Sequence, residues 1–523
     1  MAIGTVRTTL GKVSGVELDG DCAGITQFRD IPYAQPPLGE LRWKAPVPAE
    51  PWDGVRVCDK WPAASIQTFF PGDDLYPLGR PERGEDCLYL NITTPAQSGN
   101  DKLPVYLWYH DGGLSNGFSY DVRNDPRGFA KKGIVVVSVG HRLAEFGYLS
   151  LPQLTAEQGQ SGNYGVMDTV LALRWVHDNI AAFGGDPDNI TLGGESGGCA
   201  KICALAALPE TKGLFRRVIN ESGLNWLRQI HTQAEAEEEG SKYLRSMGID
   251  ENISLHELRA MDAYKIHDDT IDPHFLPGQM TIDGLLFDKE FRYCFLDNVD
   301  GLDFLNCVCA GEGDPCYDKA LLGGEKHITT AKQFYAHFRN ILGDLYDKYD
   351  FENLVHTTDE TAWKDSLLLT TLGLSRLRGH SNGARNIMAA RIFGKTVAER
   401  YGRGKIYTVR FNHLQPPALD GREESPAAPH GSDNVYASKA LVLGVAKERV
   451  YDEEDRAVSE MFNEYLANFI RTGNPNGEGL VHWYDSDTDF GWLDFTAQPV
   501  AHRGMEGKLD ELLLEFVKKE YDI

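Results

Sequence analysis

The chain has 523 residues, 42% of them apolar, which is enough for a sizeable buried core, and no run approaches the ~20 apolar residues of a membrane-spanning helix. Its formal net charge of −25 argues against nucleic acid and anionic membrane surfaces as partners, since both ask for a basic face. The start, Met1-Ala2-Ile3-Gly4-Thr5-Val6-Arg7, has no apolar signal core, so the chain reads as cytoplasmic, short of a leader already removed. Nine scattered cysteines do not look like a disulfide framework; they read as buried thiols, Cys307, Cys309 and Cys316 included.

In chain order, Thr9–Val16 and Ile25–Tyr33 predict a small β-rich start, and Glu85–Asn91 enters a strand. The runs PVYLWY (104–109) and IVVVSV (134–139) suit parallel strands covered on both faces. Over Tyr164–Phe183, Val166, Val170, Leu173, Val176, Ile180 and Phe183 recur at steps of four or three, one apolar stripe of a helix that Gly184-Gly185 ends. Asn189–Leu192 is β-prone, and 199–208 is a small, apolar helix. This alternation is the α/β signature, built by right-handed crossovers. Beyond Asn220 the pattern loosens. Gln233–Met247 reads as a charged helix, Phe304–Cys309 as a return to the sheet, Lys405–Phe411 as a late strand and Glu453–Thr472 as a late helix. Trp483 and Trp492 flank an acidic turn. The expectation is one domain over 1–523, with helical insertions at about 224–300 and 318–400.

Three segments fit G-x-S-x-G, the pattern of a nucleophile elbow: Gly113–Gly117 around Ser115, Gly194–Gly198 around Ser196, and Gly379–Gly383 around Ser381. An elbow needs a strand before it and a helix after it. Phe118-Ser119-Tyr120 does not begin a helix, and Ser375–Arg378 is no buried strand. Ser196 alone has both flanks. A serine hydroxyl needs a base, and the base needs an acid to orient it; with this motif the acid and then the histidine follow in chain order. His430, in the loop after the late strand, and His413, nearer that strand, are both candidates. Glu312 ends the strand 304–309 in a glycine-flanked turn, with Asp314 as its rival; Ser381 with Asp420 and His430 is a second arrangement. His110-Asp111-Gly112-Gly113, after the first strong strand, offers backbone N–H donors for an oxyanion, with Gly197 as a third.

These segments together resemble the type B carboxylesterase family, the cholinesterase-like branch of the α/β-hydrolases. The similarity rests on Phe28–Ala34 with Pro36–Gly39 and Leu41-Arg42, on Glu85–Asn91, on Asn163–Asp168 with Ala172–Val176, and on Phe183–Pro187 leading into the elbow. It implies an α/β-hydrolase fold, a large and mostly parallel sheet with helical insertions over the site, and a carboxylic ester hydrolase. It puts the triad on Ser196, Glu312 and His430, the oxyanion donors on Gly112, Gly113 and Gly197, and the substrate pocket near Asp111, Leu114, Glu195 and Trp226. Arg42 with Glu85, and Arg142 with Asp168, would be buried structural ion pairs. The resemblance implies a small-molecule or polymeric ester as substrate and no metal or cofactor. The alternative is an inactive binding protein of the same fold. The chain departs from the family pattern at Asp111 (usually Gly), Gly197 (usually Ala), Gly311 (usually Asp) and Ser65, where the family's disulfide partner of Cys87 would stand.

Overall fold

The apolar runs become inner strands because neither of their faces meets water. The computed structural model describes residues 2–69, 80–272, 276–312, 328–375, 386–419, 421, 425–441, 443–444 and 447–523. They form two compact units, Met1–Val218 with Gln229–Val299, and Ile219–Arg228 with Asp300–Ile523. Ser381, Asp314, Cys316 and Asp420 lie outside the described residues.

The first unit holds strands β1 (Val16–Glu17), β2 (Thr26–Pro32), β3 (Tyr89–Thr94), β4 (Leu103–Tyr109), β5 (Val135–Val139) and β6 (Gly185–Glu195). Their order is β6-β4-β5-β3-β2-β1. β4 runs parallel to β5 and β6, whereas β3, β2 and β1 add on antiparallel, so the sheet is mixed. On β4 and β5, Val105, Leu107 and Tyr109, and Val135, Val137 and Val139, are wholly buried, and Tyr106, Trp108 and Val136 on the other face are nearly so. Helix α1 (Tyr164–Asn179) buries its valine and leucine stripe, tightens into a 3-10 turn over Ile180–Phe183, and ends at Gly184 with φ +80°. Helix α2 (Gly197–Ala207) is buried along its whole length. The charged helix Gln233–Ser246 opens with a capping box between Thr232 and Glu235.

In the second unit, strands β7 (Asp303–Cys309), β8 (Ile406–Phe411) and β9 (Trp492–Phe495) run parallel, and β10 (Val500–His502) closes the edge antiparallel. Helices Ala331–Leu342, Ala362–Leu372 and Ile387–Tyr401 occupy much of the segment read as a helical insertion. Trp492 opens a strand rather than only flanking a turn, and a helix over Gly507–Tyr521 had no counterpart in the sequence reading. Among the described residues no helix is long and apolar enough to cross a membrane.

Two buried ion pairs tie the first unit together. Arg42 donates from Nε and Nη2 to the two oxygens of Glu85 at 2.6 and 2.5 Å. Arg142 donates from Nε and Nη2 to the two oxygens of Asp168 at 2.8 and 2.7 Å, and its own amide adds a bond to Asp168 at 3.0 Å. The second pair fastens the chain just after β5 to α1, with side chains 2% and 0% exposed. Removing one partner strands a buried charge, which costs more than the pair itself contributes. Asp168→Asn is therefore expected to lose about 3–5 kcal/mol of stability, read as a lowered urea midpoint; an unchanged midpoint would contradict this account of the pair.

Candidate active site

β6 passes directly into α2, and Ser196 sits at the junction with φ +50° and ψ −110°. A non-glycine residue in that region is strained, typically by 1–3 kcal/mol, and persists only where its surroundings over-determine it. The surroundings here are three glycines in contact with main chain. A Cβ on Gly194 would lie 2.5 Å from the Gly198 carbonyl carbon, and one on Gly198 would lie 2.1 Å from the Tyr109 oxygen. A Cβ on Gly197 would lie 2.1 Å from the Gly113 oxygen and 2.3 Å from its nitrogen. Behind the turn, the Cys199 amide bonds the Ser196 carbonyl at 3.1 Å and the Cys199 thiol donates to the Gly194 carbonyl at 3.1 Å. The serine itself remains partly exposed.

Gly113 belongs to the loop leaving β4. Gly112 and Gly113 both have positive φ, +82° and +62°. The loop closes on itself through Asn116 N–H to the Gly112 carbonyl at 2.9 Å. Gln67 clamps its far end, accepting from Gly117 N–H at 2.6 Å and donating to the Gly117 carbonyl at 2.9 Å. Ser115 lies inside this turn, with no helix after it. The Asp111 carboxylate stands 3.2 Å from the Arg123 guanidinium, which also pairs with buried Asp121. Leu114 and Glu195 are buried at 3% and 2% exposure.

In the second unit, the turn after β7 brings Glu312 to His430. Nδ1 of His430 is 3.0 Å from Glu312 Oε1 and 2.9 Å from Oε2. Glu312 is 1% exposed, so its charge has few competing partners in water, while His430 is 29% exposed. Gly311 makes the approach possible. Its amide donates to the Ala428 carbonyl at 2.7 Å, and a Cβ there would lie 2.9 Å from that same oxygen. His413, the other histidine candidate, bonds Asp455 at 2.9 Å instead. Trp226 is buried, its ring 5.7 Å from that of Phe393.

A supporting set was missed in the sequence. Ser222, with φ +55°, donates to Asp433 at 2.9 Å and accepts from the Gly431 amide at 3.3 Å. Its oxygen is also 3.2 Å from the Cys309 sulfur. Burial, aided by the nearby Glu312 carboxylate, pushes the Asp433 carboxyl above its ordinary range. Burial likewise pushes the Cys309 thiol up. Asp433 stands three residues after His430, but nothing in the local sequence marks it.

A family model described as the carboxylesterase family matches residues 3–512. Liver carboxylesterase 1 of Oryctolagus cuniculus is 32% identical over 558 residues, covering 98% of this chain and 94% of that protein. The medium-chain fatty acyl-CoA hydrolase precursor of Anas platyrhynchos is 29% identical, covering 97% and 91%. Among solved structures, the carboxylesterase EST55 of Geobacillus stearothermophilus superposes with a TM-score of 0.77 at 26% identity, covering 98% of this chain and 100% of that one. The fold is that of these α/β-hydrolases, a large mixed sheet flanked by helices.

The strain at Ser196 makes a prediction independent of any substrate. Ser196→Gly is expected to be more stable than Ser196→Ala by about 1–2 kcal/mol, because only glycine occupies this conformation without penalty. Thermal unfolding of the two variants checks it; equal midpoints would mean the backbone here is not strained.

Proposed function

Because the chain belongs to the carboxylesterase family and is a carboxylic ester hydrolase, we propose that it cleaves small-molecule esters through an acyl-enzyme on Ser196. Ser196 Oγ attacks the ester carbonyl carbon while His430 takes its proton. The oxygen that becomes negative is held by the amides of Gly112, Gly113 and Gly197. Collapse of the intermediate breaks the C–O bond, and His430 returns the proton to the leaving alcohol. Water then attacks the acyl group with His430 again as base, freeing the acid. Glu312 orients the imidazole and stabilises its charged form. Asp111, Leu114, Glu195 and Trp226 shape the surroundings of the substrate.

The abutment of Gly197 on Gly113 carries this reading, because it brings two amide-bearing segments against each other beside a strained serine. The hydrogen bond from His430 Nδ1 to Glu312 supports it further. A proton held on Nδ1 leaves the lone pair on Nε2, the atom a general base needs. We also place the protein in the cytoplasm, which the eight free, buried cysteines among the described residues support. Ser65 hydrogen-bonds Cys87, where the family would have a disulfide.

On p-nitrophenyl acetate, Ser196→Ala and His430→Ala are each expected to lose ~10⁴-fold or more in kcat, and the double variant little beyond that, because the two act as a unit. Wild-type turnover by Ser196→Ala would sink the proposal. A wild type inert toward a graded panel of esters would favour a binding protein of the same fold. Thiol titration in denaturant without reductant is expected to give all nine cysteines; a shortfall in pairs would argue against a reducing compartment.

A further inference from the structure

Helix α2 carries one ionisable lysine in an otherwise small and apolar stretch. Lys201 is 1% exposed. Burying an ammonium costs several kcal/mol even after relaxation, so such a residue is sustained by what it binds. Its Nζ donates to the His110 carbonyl at 2.8 Å and reaches the Asp111 carbonyl at 3.5 Å. These are the last two carbonyls before Gly112. The Asp111 carbonyl belongs to the same peptide group as the Gly112 N–H, and no peptide bond in the described chain is cis. In a trans peptide the two point in opposite directions. A cation holding the carbonyl from beneath therefore aims the Gly112 N–H away from α2. It also polarises that peptide, which strengthens the N–H as a donor.

The charges around Lys201 fit this task. Asp111 and Glu195 are the carboxylates that favour its charged form, with the Cys199 thiol a lesser influence. His110 and His141 stack with ring centroids 4.8 Å apart and planes 1° from parallel. Burial, reinforced by Lys201, holds both imidazoles well below their ordinary pKa, so they add no competing positive charge. His110 Nδ1 also donates to the Asp111 carbonyl at 2.9 Å, a second grip on the same peptide.

We propose that Lys201 is a positioning residue for the oxyanion donors: from the far side of the loop it fixes and polarises the peptide that presents the Gly112 N–H, steadies the peptide before it, and offsets the carboxylate at position 111. The proposal rests on the reading of Gly112 as one of those donors. Burial outweighs the two carboxylates and brings the Lys201 pKa down to about 7, so its charge is complete in mild acid and is lost on the alkaline side.

The test compares wild type, Lys201→Met and Lys201→Gln on p-nitrophenyl acetate, with Ser196→Ala as the control on the parent reading. Losing one oxyanion donor outright costs ~10²–10³, so loss of its support in Lys201→Met is expected to lower kcat about 10- to 100-fold with KM within about twofold. Affinity for a trifluoromethyl ketone, which forms the tetrahedral adduct, should fall in proportion to kcat/KM. Lys201→Gln, which keeps an N–H donor without the charge, should recover part of the loss. The wild type should show a fall in kcat/KM above pH about 7 that both variants lack. Lys201→Met with wild-type kcat and ketone affinity would overturn the inference. So would a wild type without that alkaline limb, a measurement that needs no variant to fold. Turnover by Ser196→Ala would instead overturn the parent reading.

Discussion

Between the main chain of Gly197 and that of Gly113 there is no room for a methyl group. This contact sets where α2 begins relative to the loop leaving β4, and so where the residue before it must turn. Ser196 accepts a positive φ because β6, paired with β4 from Ile190 to Gly194, delivers the chain on one side and the wholly buried α2 receives it on the other. Gly194 and Gly198 repeat the condition, each lying against neighbouring backbone. The strain is small beside the packing that surrounds it, and it leaves the hydroxyl at the tip of the turn.

A second constraint is the management of buried charge. Arg42 with Glu85 and Arg142 with Asp168 are paired with two-pronged geometry, which is how a guanidinium tolerates burial. Lys201 answers the same problem differently, spending its protons on backbone carbonyls while two carboxylates lie near enough to favour its charge. Asp111, an awkward residue beside a developing oxyanion, is countered by Arg123 and Lys201 on the first unit alone. In the second unit Asp433 takes the opposite course, with a carboxyl pushed toward its neutral form.

Much of this was legible in the sequence where the signal is periodic or local. The unbroken runs at 104–109 and 134–139 are strands because all their residues but Pro104 and Ser138 are buried, on both faces. The stripe from Val166 to Phe183 fits the helix and its closing 3-10 turn. The strand before Ser196 and the helix after it distinguish that serine from Ser115 without any coordinates. What escaped reading lacks such a local cause. Lys201 sits in a helix whose composition says only small and apolar, and its partners are carbonyls 90 residues earlier in the chain. Ser222 and Asp433 meet across 211 residues. Gly311 is glycine because of the backbone of Ala427 and Ala428, which no neighbour in sequence reveals. The segments that hold β2 and β3 read as part of a β-rich start and as the entry to a strand, but their antiparallel direction is set by pairing rather than by composition.

The central claim is that one strained serine, out of three in the same sequence motif, is the nucleophile. Labelling the native enzyme with a fluorophosphonate ester and mapping the adduct by peptide mass spectrometry tests it most directly. The account predicts a single phosphonyl group per chain, on the peptide carrying Ser196. An adduct on Ser115 or Ser381, or none at all from an enzyme that still turns over esters, would contradict it.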